Sequence, residues 1–375
     1  MAFKVGPPPR NQPVPMSLHG ESLPALSARA SGQRIRLNVL FGIPDDGAGT
    51  VRVAPGGRTV VADGPGSGSS SFVLRGSANL APFLPRERFA LDRIYVQGDG
   101  PPISLGPGPL LNHIADPDIC SRALVEVAKI AERTGRPCFN HPAAIAQTSR
   151  DGVAQRLSGI PGLIVPKTIR VSQRSPAHLR DAASDAGLRY PILVRVVGSH
   201  GGEDRVKIDK PESMGEVAQL QHEGQPLFLT EFYDFVSPDG FYRKFRIVVV
   251  GDEILVRHCV IGSDWSLHGR YRVKGMGPDE EEEDVFNTFQ SKWVPDLAPV
   301  FNEMARRLDL DYFGVDCNID QAKNVLLFEA NACMKVLKNY RPLPNRFEAP
   351  IARIVTALEN RLAAPDTWRH ARRPA

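Results

Sequence analysis

The sequence has no uninterrupted apolar run near the roughly 18–20 residues that a membrane-spanning helix needs, so a helical span is not expected. Cysteine is scarce: Cys120, Cys138, Cys259, Cys317 and Cys333 are scattered, with no Cys-x-x-C pair. That spacing argues against a zinc site or a disulfide framework, and for reduced, mostly buried thiols in a cytoplasmic protein. Neither charge dominates. The net charge is +4 with no Lys/Arg block, which permits a nucleotide or an acidic ligand but leaves no footprint for nucleic acid. Residues Met1 to Pro15 have no apolar stretch behind their basic residues, so a secretory signal is not expected. No internal repeat is visible.

What remains is ordinary for a globular chain: 42% hydrophobic and 23% charged residues over 375 positions, enough for two or three lobes. Residues 1–31 are rich in Pro, Ser and Gly and predict a flexible arm. Ile35 to Phe41 alternates like a half-buried strand, and Arg93 to Val96 predicts another. Residues 44–71 are Gly-rich and turn-laden, and Gly64-Pro65-Gly66-Ser67-Gly68 lacks the Lys-Ser/Thr of a phosphate loop. Apolar spacing at Ala123, Leu124, Val127, Ile130 and Ala131 predicts a helix over 116–134, capped by Asp116 and stopped by Gly135, with a short strand at Cys138 to Asn140. Strand, helix, strand describes an α/β lobe with a partly parallel sheet. Further strands are expected at 169–171, 192–197 and 227–229, and helices at 151–158, 176–187, 211–221, 293–308 and 348–362. Gly251-Asp252 predicts a tight hairpin turn between strands 246–250 and 253–260, which sets Arg246 opposite Arg257. Like charges across a ladder repel, so either an anion lies between them or the side chains splay into solvent.

A late hairpin carries the strongest chemical pattern. Gly314-Val315-Asp316-Cys317-Asn318-Ile319-Asp320 is followed, after a turn at Gln321-Ala322-Lys323, by Val325 to Asn331. Alternation puts Asp316, Asn318 and Asp320 on one face, and Glu329 and Asn331 on one face of the return strand. Such hard-oxygen groups suit magnesium; the plainer reading is a solvated polar face. An acidic group ending a buried apolar strand is costly unless a cation meets it. Upstream, Gly198, Gly201 and Gly202 let backbone N–H groups approach an anion and let a lid move, although a plain hairpin loop has the same composition. The run Asp279 to Asp284 is read as a solvated, mobile loop rather than a metal or docking site, and His141, His200 and His258 as structural rather than ligating.

The two late strands, GVDCNID and VLLFEAN, resemble the metal-binding end of the ATP-grasp superfamily, which includes glutathione synthetase and ribosomal-protein glutamate ligases. The likeness continues in order at 112–116, 140–145, Ser149-Arg150-Asp151, 157–160, 165–168, 190–195, 198–202, 229–233, Arg246 and Ser266 to Gly269. It implies an α/β ATP-grasp fold with an N-terminal Rossmann-like lobe. The arm would be 1–31, the first lobe 32–140, a central ATP-binding lobe 141–230, a C-terminal lobe with the metal site 231–365, and a tail 366–375.

The resemblance also implies roles. Asp316, Glu329 and Asn331 would hold magnesium, two ions, with manganese as a substitute. Arg150 and Arg195 would steady ATP phosphates, and Gly198, Ser199, His200, Gly201 and Gly202 would form the flap over them. Glu231, Phe232 and Tyr233 would form the hinge along adenine. Arg246 would stabilise charge on an acylphosphate, and His268 would orient phosphate or acceptor. The implied activity is ADP-forming ligation of a carboxylate on a small molecule, peptide or protein tail to an amine acceptor, with homo-oligomerisation left open. A nucleotide-binding regulatory module and a phosphotransferase are the alternatives. The chain departs from the family at Arg195, where Lys is usual, and near Arg150 and Asp151, where Lys is common. Arg keeps the cation and can grip two phosphate oxygens, with a more rigid fork.

Overall fold

The alternating segment at 35–41 becomes a strand whose last six residues are all buried. The structure is a computed structural model that describes residues 34–46, 50–54, 58–62, 75–78, 80–100, 103–173, 175–199, 205–220, 224–267, 273 and 276–371. The expected arm at 1–31, the loop at 64–68, and His200, Gly201, Gly202 and His268 lie outside the described residues. Among the described residues no helix is long and apolar enough to cross a membrane.

The chain runs β1 (Ile35–Gly42), a hairpin of β2 (Thr50–Ala54) and β3 (Arg58–Ala62), β4 (Phe89–Val96), β5 (Leu110–Asn112), α1 (Ser121–Thr134) and β6 (Cys138–Phe139). Strands β4, β1, β5 and β6 form one sheet in that order, every pair parallel. The hairpin β2–β3 falls where the sequence suggested only turns. Helix α1 begins later than expected. Asp116 instead closes a turn by accepting the Asp118 N–H at 2.8 Å. The cap is the Asp45 carboxylate, 76 residues away in sequence, which accepts the Ser121 N–H at 2.9 Å. Gly135 ends the helix with φ +58°, a left-handed conformation that glycine adopts without strain.

Next come α2 (Pro142–Ile145), α3 (Arg150–Leu157), β7 (Leu163–Ile164), β8 (Thr168–Val171), α4 (Pro176–Asp185), β9 (Ile192–Val196), β10 (Arg205–Ile208), a 3-10 segment at Pro211–Gln219 and β11 (Leu227–Glu231). An antiparallel sheet in the order β10-β9-β11-β8 results, and Leu179, Ala183, Ile192, Val194, Met214 and Leu229 pack into a small core beneath it. The remaining elements are β12 (Tyr242–Val250), β13 (Glu253–Gly262), α5 (Met276–Thr288), α6 (Val294–Leu308), β14 (Tyr312–Ile319), β15 (Val325–Asn331) and α7 (Glu348–Leu362). A single π-helical turn, Phe289–Trp293, joins α5 to α6. The third sheet runs β13-β12-β14-β15-β7, antiparallel except for β7. Trp368 is 3% exposed and packs edge-on against Phe139, and the Cys138 N–H donates to the His370 carbonyl.

Two local readings are corrected. A β-bulge between Arg246 and Ile247 shifts the β12–β13 register, so Arg246 faces His258 rather than Arg257. Arg257 does not splay into solvent: it is 7% exposed and donates to the carbonyls of Val336 and Lys338 at 2.6 and 3.2 Å. A bulge of this kind cannot be counted from turn residues, because it adds one residue to a single strand. The acidic run 279–284 is helical within α5, not a loop. Glu282 is fully buried, accepts the Cys259 N–H at 3.0 Å and pairs with Arg346 at 2.9 Å. Every third or fourth residue of an amphipathic helix faces the protein, and here that residue is a glutamate with a partner.

Candidate functional site

One wall of the site is the late hairpin. Strands β14 and β15 pair so that Asp316 stands opposite Glu329, with a bulge just after Asp316. Strand alternation then places Asn331 on the same side as Glu329, and its amide donates to Glu329 Oε1 at 2.8 Å. Asn331 Oδ1 accepts the Cys333 N–H at 3.1 Å, which fixes the amide orientation. Asn318 and Asp320 do not join this group. Asn318 donates to the Arg243 carbonyl at 3.0 Å, and Asp320 closes the hairpin turn by accepting from Asn324 at 2.8 and 2.9 Å.

Cations face these acids. Arg246, on the neighbouring strand β12, is the register partner of Asp316. Its Nε and Nη2 donate to the two carboxylate oxygens at 2.7 and 2.8 Å, and Lys244 Nζ lies 3.2 Å from Oδ2. Burial alone would raise the Asp316 pKa; the charges of Arg246 and then Lys244 outweigh it and hold the carboxyl well below its ordinary range. Arg150 opens α3, whose N-cap is Ser149, and its Nη2 lies 2.8 Å from Glu329 Oε1. His258 sits among the same cations. Burial, then the charge of Arg246, pushes its pKa well below the usual value, so it stays neutral at ordinary pH.

The facing wall comes from the second sheet. Arg195 lies on β9, and Gly198 and Ser199 form the turn that follows it. Gly198 has φ +76°, a conformation a side chain would strain. Ser199 fixes the turn by donating its hydroxyl to the Val196 carbonyl at 2.7 Å. At the end of β11, Glu231 is 6% exposed and accepts from Arg189 through its backbone N–H and side chain at 3.0 and 3.3 Å. Burial raises the Glu231 pKa, but the hydrogen bonds from Arg189 overcome it and the pKa is lowered. Phe232 follows, its ring edge-on to Trp265 at 5.3 Å, and the Tyr233 hydroxyl accepts from Arg189 at 2.7 Å.

Arg150, Arg195, Gly198, Ser199, Glu231, Phe232 and Tyr233 line one cavity of about 220 Å³. Arg246, Asp316, Glu329 and Asn331 line the same cavity. Lys244, Arg205 and Trp265 share it and were not foreseen. Lys244 could have been found, since it stands two residues before Arg246 and period two puts both on one face. Arg205 heads a four-residue strand whose sequence gives no alternation long enough to read.

The donor set suits a hard divalent cation. Two carboxylates and an amide oxygen lie along one wall, which leaves other positions to phosphate and water oxygens, as magnesium prefers. Among the described residues no group of three or more His, Cys, Asp or Glu side chains that could hold a metal ion is found.

No protein-family model matches the sequence. No curated protein matches it either. Among solved structures, D-alanine–D-alanine ligase from Coxiella burnetii is similar with a TM-score of 0.50 and 12% identity, over 90% of this chain and 96% of that one. VanG D-Ala:D-Ser ligase from Enterococcus faecalis gives 0.49 at 13% identity, over 89% and 99%. A RimK domain ATP-grasp protein from Sphaerobacter thermophilus gives 0.45 at 11%, over 88% and 98%. What this chain shares with the Coxiella burnetii structure is the fold: it is α/β and has the ATP-grasp fold.

Proposed function

We propose that the chain is an ATP- and magnesium-dependent ligase that joins a carboxylate to an amine through an acylphosphate, releasing ADP and phosphate. One observation carries this reading. Asp316, Glu329 and Asn331 face one cavity with Arg150, Arg195 and Arg246, so oxygen donors for a cation and donors for phosphate oxygens meet across a single space. A purely structural hairpin has no need of such convergence.

The roles follow from charge and position. Asp316, Glu329 and Asn331 would hold one or two divalent ions, which supply charge neutralisation to the phosphate oxygens when bound. Arg150 and Arg195 steady the phosphates from opposite walls. The substrate carboxylate oxygen attacks the γ-phosphorus, the bond to the β-bridging oxygen breaks, and ADP leaves. The amine then attacks the acyl carbon, phosphate departs with the C–O bond electrons, and the nitrogen gives up a proton. Such chemistry asks mainly for placement and charge stabilisation. Arg246 neutralises charge on the acylphosphate oxygens, with its fork pre-set by Asp316. Glu231, Phe232 and Tyr233 bound the adenine end, the 198–202 segment closes over the phosphates, and His268 orients phosphate or acceptor. The chain is read as cytoplasmic, with an amine acceptor and a small-molecule, peptide or protein-tail carboxylate as partners.

A second reading, a nucleotide-binding module without turnover, draws on the same site. Asp316 is held by two cations, Arg246 and Lys244, which compete with a metal ion for its oxygens. Incubation with magnesium-ATP and pooled amino acids, scored for ADP, separates the two. ADP formation that depends on an added acceptor and is lost in Glu329→Gln supports ligation. Tight ATP binding with no ADP under any acceptor favours the module. Transfer of labelled carboxylate oxygen into phosphate tells ligation from simple phosphotransfer.

A further inference from the structure

Strands β9 and β10 pair so that Arg195 stands directly opposite Arg205. Both line the cavity, and burial, then the charge of Arg150, disfavours the charged form of Arg205, opposed by the charges of Asp264 and Glu329. Like charges facing across an antiparallel ladder cost stability unless something anionic offsets them. Among the described residues Arg205 has no carboxylate within ion-pair distance. Its guanidinium instead donates to the Ser266 hydroxyl at 2.6 Å and lies 5.0 Å above the Trp265 ring. The Trp265 ring in turn packs on Phe232. Those contacts come from different sheets: Arg205 from β10, and Trp265 and Ser266 from the loop after β13. Arg205 therefore spans the cleft, half-buried, held by a hydroxyl and a π-face rather than by an acid.

We propose that Arg205 is a second polyphosphate-binding cation that works with Arg195, and that anion binding draws it off Trp265 and Ser266. The proposal rests on the ligase reading for the identity of the nucleotide, but the anion seat itself does not depend on turnover. A partly buried guanidinium that no acid pairs directly among the described residues is stabilised further by an anion that reaches it, and its planar fork matches two phosphate oxygens at once. A lysine would supply charge without that fork. The exchange also gives the phosphates a means of loosening the 263–267 loop, since the Arg205 contacts to Trp265 and Ser266 bridge that loop and β10.

The full chain is titrated calorimetrically with ATP, adenosine and inorganic tripolyphosphate, in wild type and in Arg205→Met and Arg205→Lys. Expected is a loss of about tenfold or more in affinity for ATP and tripolyphosphate in Arg205→Met, with partial recovery in Arg205→Lys and adenosine unchanged. Intrinsic fluorescence should change on adding tripolyphosphate to wild type and stay still in Trp265→Phe. Equal ATP affinity in wild type and Arg205→Met overturns the proposal, as does an equal loss for adenosine, which would mark a structural role. Wild type that binds tripolyphosphate but not ATP keeps the anion seat and removes the ligase reading; binding of neither removes both.

Discussion

Arg246 and Asp316 stand opposite each other on adjacent strands and meet through two parallel hydrogen bonds of 2.7 and 2.8 Å. On the proposed reading the pair sets the orientation of both the guanidinium that would meet phosphate and the carboxylate that would meet the metal ion. It also makes the two roles hard to separate by mutation. Asp316→Ala or Asp316→Asn leaves Arg246 and Lys244 without their counter-charge in a largely enclosed site. Both variants should abolish ADP formation and lose about 2–4 kcal/mol of stability in urea unfolding. Lys244→Met, which leaves the Arg246 pair intact, should cost less than half as much. Equal losses in Lys244→Met and Asp316→Asn would show that the bidentate pair does not dominate.

Glu282 gives a prediction away from the site. It is fully buried between the Cys259 N–H and Arg346, whereas Glu280 and Glu283 on the same helix are exposed. Glu282→Ala should cost about 1–3 kcal/mol, because it takes the acceptor from the Cys259 N–H and leaves Arg346 only its Asp279 partner. Glu280→Ala and Glu283→Ala should stay within about 0.5 kcal/mol of wild type. Nucleotide affinity of the folded protein should be unchanged in all three, as measured by calorimetry.

The contrast between these glutamates marks what was legible in the sequence. Asp316, Glu329 and Asn331 were readable because strand period fixes side, and the two strands lie within one hairpin. Arg246 was readable as a residue but not as a partner, since its register depends on a bulge that leaves no mark in turn chemistry. The run 279–284 reads as solvated because six acids stand in a row, while two of them, Asp279 and Glu282, meet Arg346, which is 64 residues on from Glu282. Helix α7 fell where apolar spacing put it, at Glu348–Leu362; helix α1 started late because its cap is Asp45, which no local window contains. Short-range periodicity was legible, and long-range pairing was not.

Buried His113 predicts an acid sensitivity. It is 0% exposed, its ring packs edge-on against Phe41 at 4.7 Å, and neither ring nitrogen has a hydrogen-bond partner among the described residues. Burial, with a smaller push from Arg93, lowers its pKa from 6.5 to about 3. The unfolded chain therefore takes up a proton below about pH 6.5 that the folded chain refuses until about pH 3. Its contribution is fully present above that window and falls as pH drops through it, by about 1.4 kcal/mol per pH unit. Stability curves between pH 7 and 4.5 should be shallower by about one proton in His113→Gln than in wild type. Parallel curves would mean the imidazole titrates normally in the fold.

Gly314 ties packing to the wall that carries Glu329 and Asn331. It is the register partner of Asn331, and a Cβ built on it would lie 2.7 Å from Met334 Cβ, an atom too near the backbone to swing aside. Gly314→Ala must therefore displace the segment around Met334, which begins two residues after Asn331. Because Asn331 Oδ1 accepts the Cys333 N–H, that displacement passes to the amide that would, on the proposed reading, meet the cation. The variant should lose about 1–3 kcal/mol of stability. It should also raise the magnesium concentration needed for ADP formation by more than it raises the ATP requirement. Gly277 on α5 is the control. It is exposed, and an added Cβ meets nothing within 4 Å, so Gly277→Ala should be neutral or stabilise by up to about 1 kcal/mol. An unchanged magnesium requirement in Gly314→Ala, alongside the stability loss, would break the link between this contact and the cation site.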